Sequence, residues 1–323
     1  MREDEILKNI FKFYKSNPRI VLGPGDDCAI ISEMVNKNLI ITTDAFIENI
    51  HFKYDLLSFY EIGYKSATAV LSDICAMGGT PIAILVSLNV NQKSINKIEE
   101  IYKGISDVCD KFCVSIVGGN IEKYDRLELH LTAIGEVKKD KVLLRSNAKV
   151  GDLIAITGDI GRSRGYFIAY ERHLISGVKW WINEMREKFA FPIVRFEEIN
   201  KILSNINVNA CIDISDGLGI DGYRMANLSE VQIIIYANKL PIKDSVKFLA
   251  KKLEIKDWFI AVESGEEYEL LLSIPREEEE KIKKLNLPIT IIGEVIEDKP
   301  GIYIIDGDLK IDISRRGYDA FAI

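Results

Sequence analysis

The sequence predicts an α/β protein of two domains, and three features carry that prediction. Its 323 residues exceed the usual size of one domain. Apolar runs of strand length alternate with stretches at helical spacing. A charged segment, KKDK at 138–141, separates two such sets, so we place the domains at 1–137 and 138–323.

In chain order, residues 4–14 read as an entry helix, and Pro24-Gly25 introduces a loop carrying Asp26 and Asp27. Asn38–Asp44 reads as a strand that delivers Thr42, Thr43 and Asp44 to its C-terminal end, where α/β proteins commonly assemble sites. His51 follows beside Phe52, a setting more typical of a structural histidine. The stretch Ile62–Pro81 is the centre of the chain. Ala67, Val70, Leu71, Ile74 and Met77 share one helical face, with Asp73 at its border, and Gly78-Gly79 and Pro81 end the helix.

Pro81–Val90 is a strand, and Ile95, Ile98, Tyr102, Ile105, Val108 and Phe112 mark a long amphipathic helix. Ser115–Gly119 gives a short strand ending in a double glycine before Asn120; Glu128–Val137 alternates as another. The first domain therefore reads β-α-β-α-β-β. In the second, a strand ends at Gly158, and the turn GDIGRSRG leads into a helix; such a turn can cradle phosphate but matches no P-loop or dinucleotide fingerprint. Ala210–Ile214 is a strand whose turn, Ser215-Asp216-Gly217, enters a helix near Leu218. Strands at Val231–Tyr236, Glu269–Ile274 and Ile289–Glu294, a helix at Asp257–Val262, a solvated helix in REEEEKIKK and a final hairpin complete the chain.

The recurrent signal is carboxylates in short apolar phrases: Asp26 and Asp27, Asp44, Asp73, and Asp213 with Asp216. Two like charges about 4 Å apart repel by roughly 4 kcal/mol at an effective dielectric near 20, so a converging set calls for a cation. Magnesium fits first, because it takes oxygen ligands and is commonly shared between carboxylates and substrate phosphates. For a single Asp, a helix cap or tight turn explains the residue equally well.

Forty-two basic and 49 acidic residues give a net charge of −7, which argues against nucleic acid or an anionic membrane as the main partner. The charged, amphipathic start and the lack of a long apolar run predict a cytoplasmic protein with no membrane span. The five cysteines are scattered; Cys109 and Cys113 share a predicted helix face, but no His or further Cys lies at zinc spacing, so we read them as reduced packing residues.

The phrases GPGDDCA, TTDAFIENIHF, YKSATAVLSDICAMGG, a GGN before a strand, LLRSNAKVGD, DISDGLGID, SGEEYEL and GYDAF occur in an order that resembles the thiamine-monophosphate kinase family. That family belongs to the ATP-binding superfamily named for aminoimidazole ribonucleotide synthetase. The resemblance covers essentially the whole chain. It implies an α/β (α+β) fold in which an N-terminal mixed sheet with helices pairs with a second subunit, and a larger C-terminal α/β sandwich. The implied reaction is direct transfer of the ATP γ-phosphate to thiamine monophosphate, with several Mg²⁺ ions and no phosphoenzyme, hence no covalent catalytic nucleophile.

By motif, the resemblance assigns Asp27, Thr42, Thr43, Asp44, Asp73, Asp213 and Asp216 to the magnesium shell. It assigns Tyr102, Gly119, Asn120, Arg145 and Ser215 to the nucleotide, and His51, Glu266 and Tyr318 to thiamine monophosphate. Two phrases depart from the pattern. The usual GGDT is GGNI, with Asn120 for a carboxylate, and the usual GGEDYEL is SGEEYEL, with Ser264 for Gly and Glu267 for Asp. Alternatives at this stage are another ATP-dependent small-molecule enzyme of the superfamily and, prompted by Asn120, a catalytically inactive nucleotide-binding regulator.

Overall fold

In the first unit, Lys37–Ile47 (β3) alternates exposed and covered residues, because only one face of its sheet is packed. The computed structural model describes residues 12–13, 17–22, 30–31, 36–177 and 179–319. Asp26, Asp27 and Phe321 lie outside the described residues, as does the expected entry helix except for a turn at 12–13. The chain divides into two units, Met1–Cys75 with Gly79–Val142, and Ala76–Gly78 with Leu143–Ile323.

Beside a two-stranded sheet of β1 (Ile20–Leu22) and β2 (Ile30–Ile31), the first unit holds a four-stranded sheet in the order β3, β6 (Glu128–Lys138), β4 (Thr80–Val90), β5 (Ser115–Lys123). Only the β4–β5 pair is parallel, so the sheet is mixed. On the covered face, Phe46 lies opposite Leu129, Asp44 opposite Leu131 and Thr42 opposite Ala133. Helix α1 (Phe59–Ala76) buries Ala67, Val70, Leu71 and Ile74, as the helical spacing predicts. Helix α2 (Ile98–Lys111) crosses α1 at very short range. A Cβ at Gly63 would overlap the Ile101 carbonyl, and one at Gly104 would overlap the Tyr60 carbonyl.

Two strands differ from the sequence expectation: β3 runs on to Ile47, so Thr42, Thr43 and Asp44 lie within it rather than at its C-terminal end. β5 does not stop at the double glycine but continues to Lys123, with Gly119 opposite Val86 and Asn120 opposite Ser87. Gly119 lets the two backbones approach, since a side chain there would strike the Val86 carbonyl. The uncovered face of the sheet leaves Leu39 at 51% and Ile41 at 61% exposure.

The second unit is built on a seven-stranded sheet, β13-β12-β9-β11-β7-β10-β8, that is antiparallel except for β9 with β12. Its strands are β7 (Leu153–Thr157), β8 (Ala210–Asp213), β9 (Gln232–Tyr236), β10 (Leu270–Ile274), β11 (Ile289–Ile296), β12 (Gly301–Asp306) and β13 (Leu309–Asp312). β7, β8 and β10 are buried along their whole length, which explains their continuous apolar runs. Helices α3 (Arg162–Glu171), α4 (Trp180–Ala190), α5 (Phe196–Asn205), α6 (Leu218–Leu228), α7 (Asp244–Lys252), α8 (Asp257–Val262) and α9 (Glu279–Lys284) complete the unit. α7 went unread in the sequence. α9 buries Ile282, the single apolar position of its run, and Cys75, Cys109 and Cys211 are buried in the two cores.

Candidate functional site

In the first unit, the residue that organises the site is Asp73. Thr42 reaches across from β3 and donates its hydroxyl to Asp73 Oδ2 at 2.6 Å. Asp44 lies on the same face of β3, two residues along, where the strand period of two puts it. Asp73 sits in the last turn of α1, where no basic residue compensates the negative end of the helix dipole. A carboxylate in that position favours a cation nearby.

Thr43 points the other way. Its hydroxyl donates to the Leu131 carbonyl at 3.1 Å and accepts from Thr132 at 3.1 Å, which ties β3 to β6 on the uncovered face. The Thr43 side chain therefore lies on the opposite side of the strand from that of Thr42. The cause is the strand period itself. His51 Nδ1 accepts the Ile47 N–H at 3.0 Å, and its ring stacks on Phe46 with centroids 5.6 Å apart. With Nδ1 accepting, the neutral ring carries its proton on Nε2, so His51 can donate from that edge.

Gly119 and Asn120 lie exposed on β5. Tyr102 is 3% exposed within α2, with its ring centroid 6.3 Å from that of Phe13, and burial pushes its phenol above the ordinary range.

In the second unit, β8 ends at the buried Asp213 and gives way to the Ser215-Asp216-Gly217 turn. The sequence reading did not single out Asp221, which shapes this turn. Its Oδ2 accepts the N–H groups of Ser215, Asp216 and Gly217 at 3.0, 2.9 and 3.0 Å. Burial pushes its carboxyl up to about 6, opposed by those amides and by Arg224. Arg224 Nη1 bridges Asp221 Oδ1 and Asp216 Oδ2, each at 2.6 Å. A carboxylate three residues into a helix that follows a polar turn was the available signal.

Two other segments dock on this turn through their backbones. The Glu266 N–H donates to the Ser215 carbonyl at 2.7 Å, and the Tyr318 N–H donates to the Asp216 carbonyl at 2.8 Å. Ser215, Asp216, Glu266 and Tyr318 are thus neighbours through their backbones. Tyr318 is half exposed, and a cleft of about 820 Å³ lined by Tyr223, Glu263, Tyr303, Arg316 and Gly317 opens beside it. Arg145 is exposed next to β8, because Leu144 bridges Ala210 and its carbonyl accepts the Cys211 N–H at 3.3 Å.

The glycine-rich turn before α3 does not present an open phosphate cradle. The N–H groups of Gly161 and Ser163 donate to Glu267 Oε1 at 2.8 and 3.2 Å, so a carboxylate of the chain itself occupies the anion position. Glu267 belongs to a buried charge network with Lys188, Glu269 and Arg195. Lys188 contacts Glu269 Oε1 and stands 3.7 Å from Glu267 Oε2. Arg195 grips Glu269 through Nε and Nη2, both at 2.7 Å, and Thr157 donates to Glu269 at 2.7 Å. Burial alone would raise both glutamates. It prevails at Glu267, whereas Lys188 and Arg195 together hold Glu269 below the ordinary range.

Each unit offers oxygen donors: Thr42, Asp44 and Asp73 in the first, Asp213 and Asp216 in the second. Without thiolate or imidazole among them, these donors suit a hard cation such as Mg²⁺. Among the described residues, no group of three His, Cys, Asp or Glu side chains is gathered in metal-holding geometry.

Comparison with known proteins gives a consistent set of relatives. The description "AIR synthase related protein, N-terminal domain" matches residues 25–137, and its C-terminal counterpart matches 149–306. A thiamine-monophosphate kinase of Pyrococcus abyssi is 36% identical over 100% of this chain and 96% of its own length. The crystal structure of thiamine-monophosphate kinase from Stenotrophomonas maltophilia K279a superposes with a TM-score of 0.82 at 25% identity, covering 93% of this chain and 94% of that one. The structure of AaThiL complexed with AMPPCP and TMP superposes with a TM-score of 0.76 at 27% identity, over 97% of this chain and 98% of that one.

Proposed function

Since the chain belongs to the thiamine-monophosphate kinase family of AIR-synthase-related proteins, we propose that it transfers the γ-phosphate of ATP to thiamine monophosphate, giving thiamine diphosphate and ADP. The observation that carries this reading is the 36% identity sustained over the whole chain. AaThiL holding an ATP analogue together with TMP supports the same pair of substrates.

Phosphoryl transfer demands in-line placement and charge neutralisation more than covalent chemistry. The acceptor is itself a phosphate whose attacking oxygen is mostly ionised near neutral pH, so no protein base is required. When bound, Mg²⁺ neutralises charge on the transferring group. In the first unit, Thr42, Asp44 and Asp73 would hold it, with Asp27 from outside the described residues; in the second, Asp213 and Asp216 would do so. Thr42 fixes the Asp73 carboxylate for that task.

Gly119, Asn120, Arg145 and Ser215 are proposed to contact the nucleotide. Arg145 supplies a fork of donors suited to phosphate. His51, through Nε2–H, and Glu266 and Tyr318 are proposed to position thiamine monophosphate. Glu266 would place a negative charge against the cationic thiazolium ring.

A homodimer is supported by the uncovered face of the first sheet, where Leu39 and Ile41 stand in water. A cytoplasmic location agrees with the reaction; among the described residues, no helix is long and apolar enough to cross a membrane. Chromatographic assay of thiamine diphosphate, with ATP or acceptor omitted in turn, tests the reading. Formation only in the complete mixture supports it, and ATP consumption independent of the acceptor overturns it.

A further inference from the structure

Two non-glycine residues flank Glu267 in left-handed backbone conformation, Glu266 with φ 57° and Tyr268 with φ 53°. Such conformations are strained for a residue with a side chain and persist only where the surroundings over-determine them. Here the surroundings meet at the Glu267 side chain, which is fully buried. Its Oε1 takes the two amides at the start of α3 and also the Ser264 hydroxyl at 2.5 Å. Ser264 Oγ in turn accepts the Arg164 N–H at 3.0 Å, and Ser163 Oγ donates to the Glu266 carbonyl at 3.3 Å. Lys188, 3% exposed, balances the charge from the far side.

The two positions at which SGEEYEL departs from its family phrase are therefore in direct contact. Ser264 supplies a donor that the Glu267 carboxylate accepts. Shortening Glu267 alone would leave a buried hydroxyl poorly satisfied, whereas removing both partners removes the need. The pair behaves as a unit.

We propose that Ser264, Glu267 and Lys188 are positioning residues: they lock the Glu266 backbone in its left-handed conformation and so set Glu266 for thiamine monophosphate. This rests on the reading of Glu266 as a substrate contact. None of the three touches substrate in this assignment; they act through the residue between them.

The test uses the full chain as wild type, Ser264→Ala, Glu267→Asp and Ser264→Gly/Glu267→Asp. Steady-state kinetics are read for both substrates, and hydrogen exchange is followed over residues 261–270 without substrate. Displacing a positioning loop raises KM for thiamine monophosphate about tenfold in Glu267→Asp and about threefold in Ser264→Ala, with KM for ATP within about twofold of wild type. The double variant lies closer to wild type than Glu267→Asp does, because coupled residues are non-additive. Exchange over 261–270 rises in both single variants.

Unchanged KM for thiamine monophosphate in Ser264→Ala and Glu267→Asp, or equal rises for both substrates, would overturn the proposal. Should Glu267→Asp fail to fold, Ser264→Ala, which removes one oxygen, decides alone. Absence of turnover in the wild type instead refutes the functional reading, and the exchange data then decide whether these residues hold the loop.

Discussion

The Thr42 hydroxyl donates to Asp73 Oδ2 at 2.6 Å, joining the middle of β3 to the last turn of α1. The contact fixes one carboxylate oxygen and orients the other.

Asp73→Asn keeps the shape and the acceptor for Thr42 but removes the charge. Turnover should be abolished while the circular dichroism spectrum and Tm stay near wild type. Thr42→Val should keep the fold and lower kcat about tenfold, a loss of roughly 1.4 kcal/mol in the transition state. Wild-type activity in Asp73→Asn would exclude Asp73 from the proposed magnesium shell.

Asn120 stands exposed on β5 opposite Ser87, in continuous pairing. Asn120→Asp is therefore accommodated structurally, and a carboxylate there should leave turnover unchanged or reduce the Mg²⁺ concentration needed for half-maximal rate. A large fall in turnover would show that the amide has a role of its own. ATP binding without turnover in the natural chain would favour the regulatory alternative instead.

Gly63 and Gly104 permit the backbones of α1 and α2 to meet, each against the other helix's carbonyl. Gly63→Ala should destabilise the first unit by about 1–3 kcal/mol, the usual cost of overpacking, despite the better helix propensity of alanine. Denaturant unfolding measures this; an unchanged midpoint would mean that the helices can slide apart freely.

Glu269 is held below its ordinary value of 4.5, with Lys188 and Arg195 overcoming burial. A depressed carboxylate contributes stability that is present above that value and lost as pH falls through the folded pKa. Glu269→Gln should therefore cost about 3–5 kcal/mol at pH 7, as for a broken buried pair, and the gap to wild type should narrow below pH 4.5. A gap that is constant from pH 7 to pH 3 would refute the electrostatic role.

Much of the fold was legible because its elements carry unambiguous periods. The alternation of Leu129, Leu131 and Ala133, and the helical stripe of Ala67, Val70, Leu71 and Ile74, could be read directly. β5 was cut short because a double glycine usually ends a strand, whereas here it serves a close approach to Val86. Asp73 stood out as a charge beside an apolar stripe. The spacing puts Tyr102 on the apolar stripe of its helix, where it is buried; its nucleotide role is implied by the resemblance alone.

The charge network around Glu267 and Glu269 was hidden for a different reason. Its partners Lys188 and Arg195 lie far away in sequence. The one local clue is that Trp181, Met185 and Lys188 share the buried stripe of α4, which puts a lysine where an apolar residue belongs. The same distance in sequence hid the occupant of the turn before α3.

The most direct test of the central claim is ³¹P NMR of the purified protein with ATP, Mg²⁺ and thiamine monophosphate, beside a control without the thiamine compound. Thiamine diphosphate and ADP should appear together, and only in the complete mixture. Phosphorus signals that do not move although ATP binds, or free phosphate released with ADP and no thiamine diphosphate, would contradict the assignment as a thiamine-monophosphate kinase.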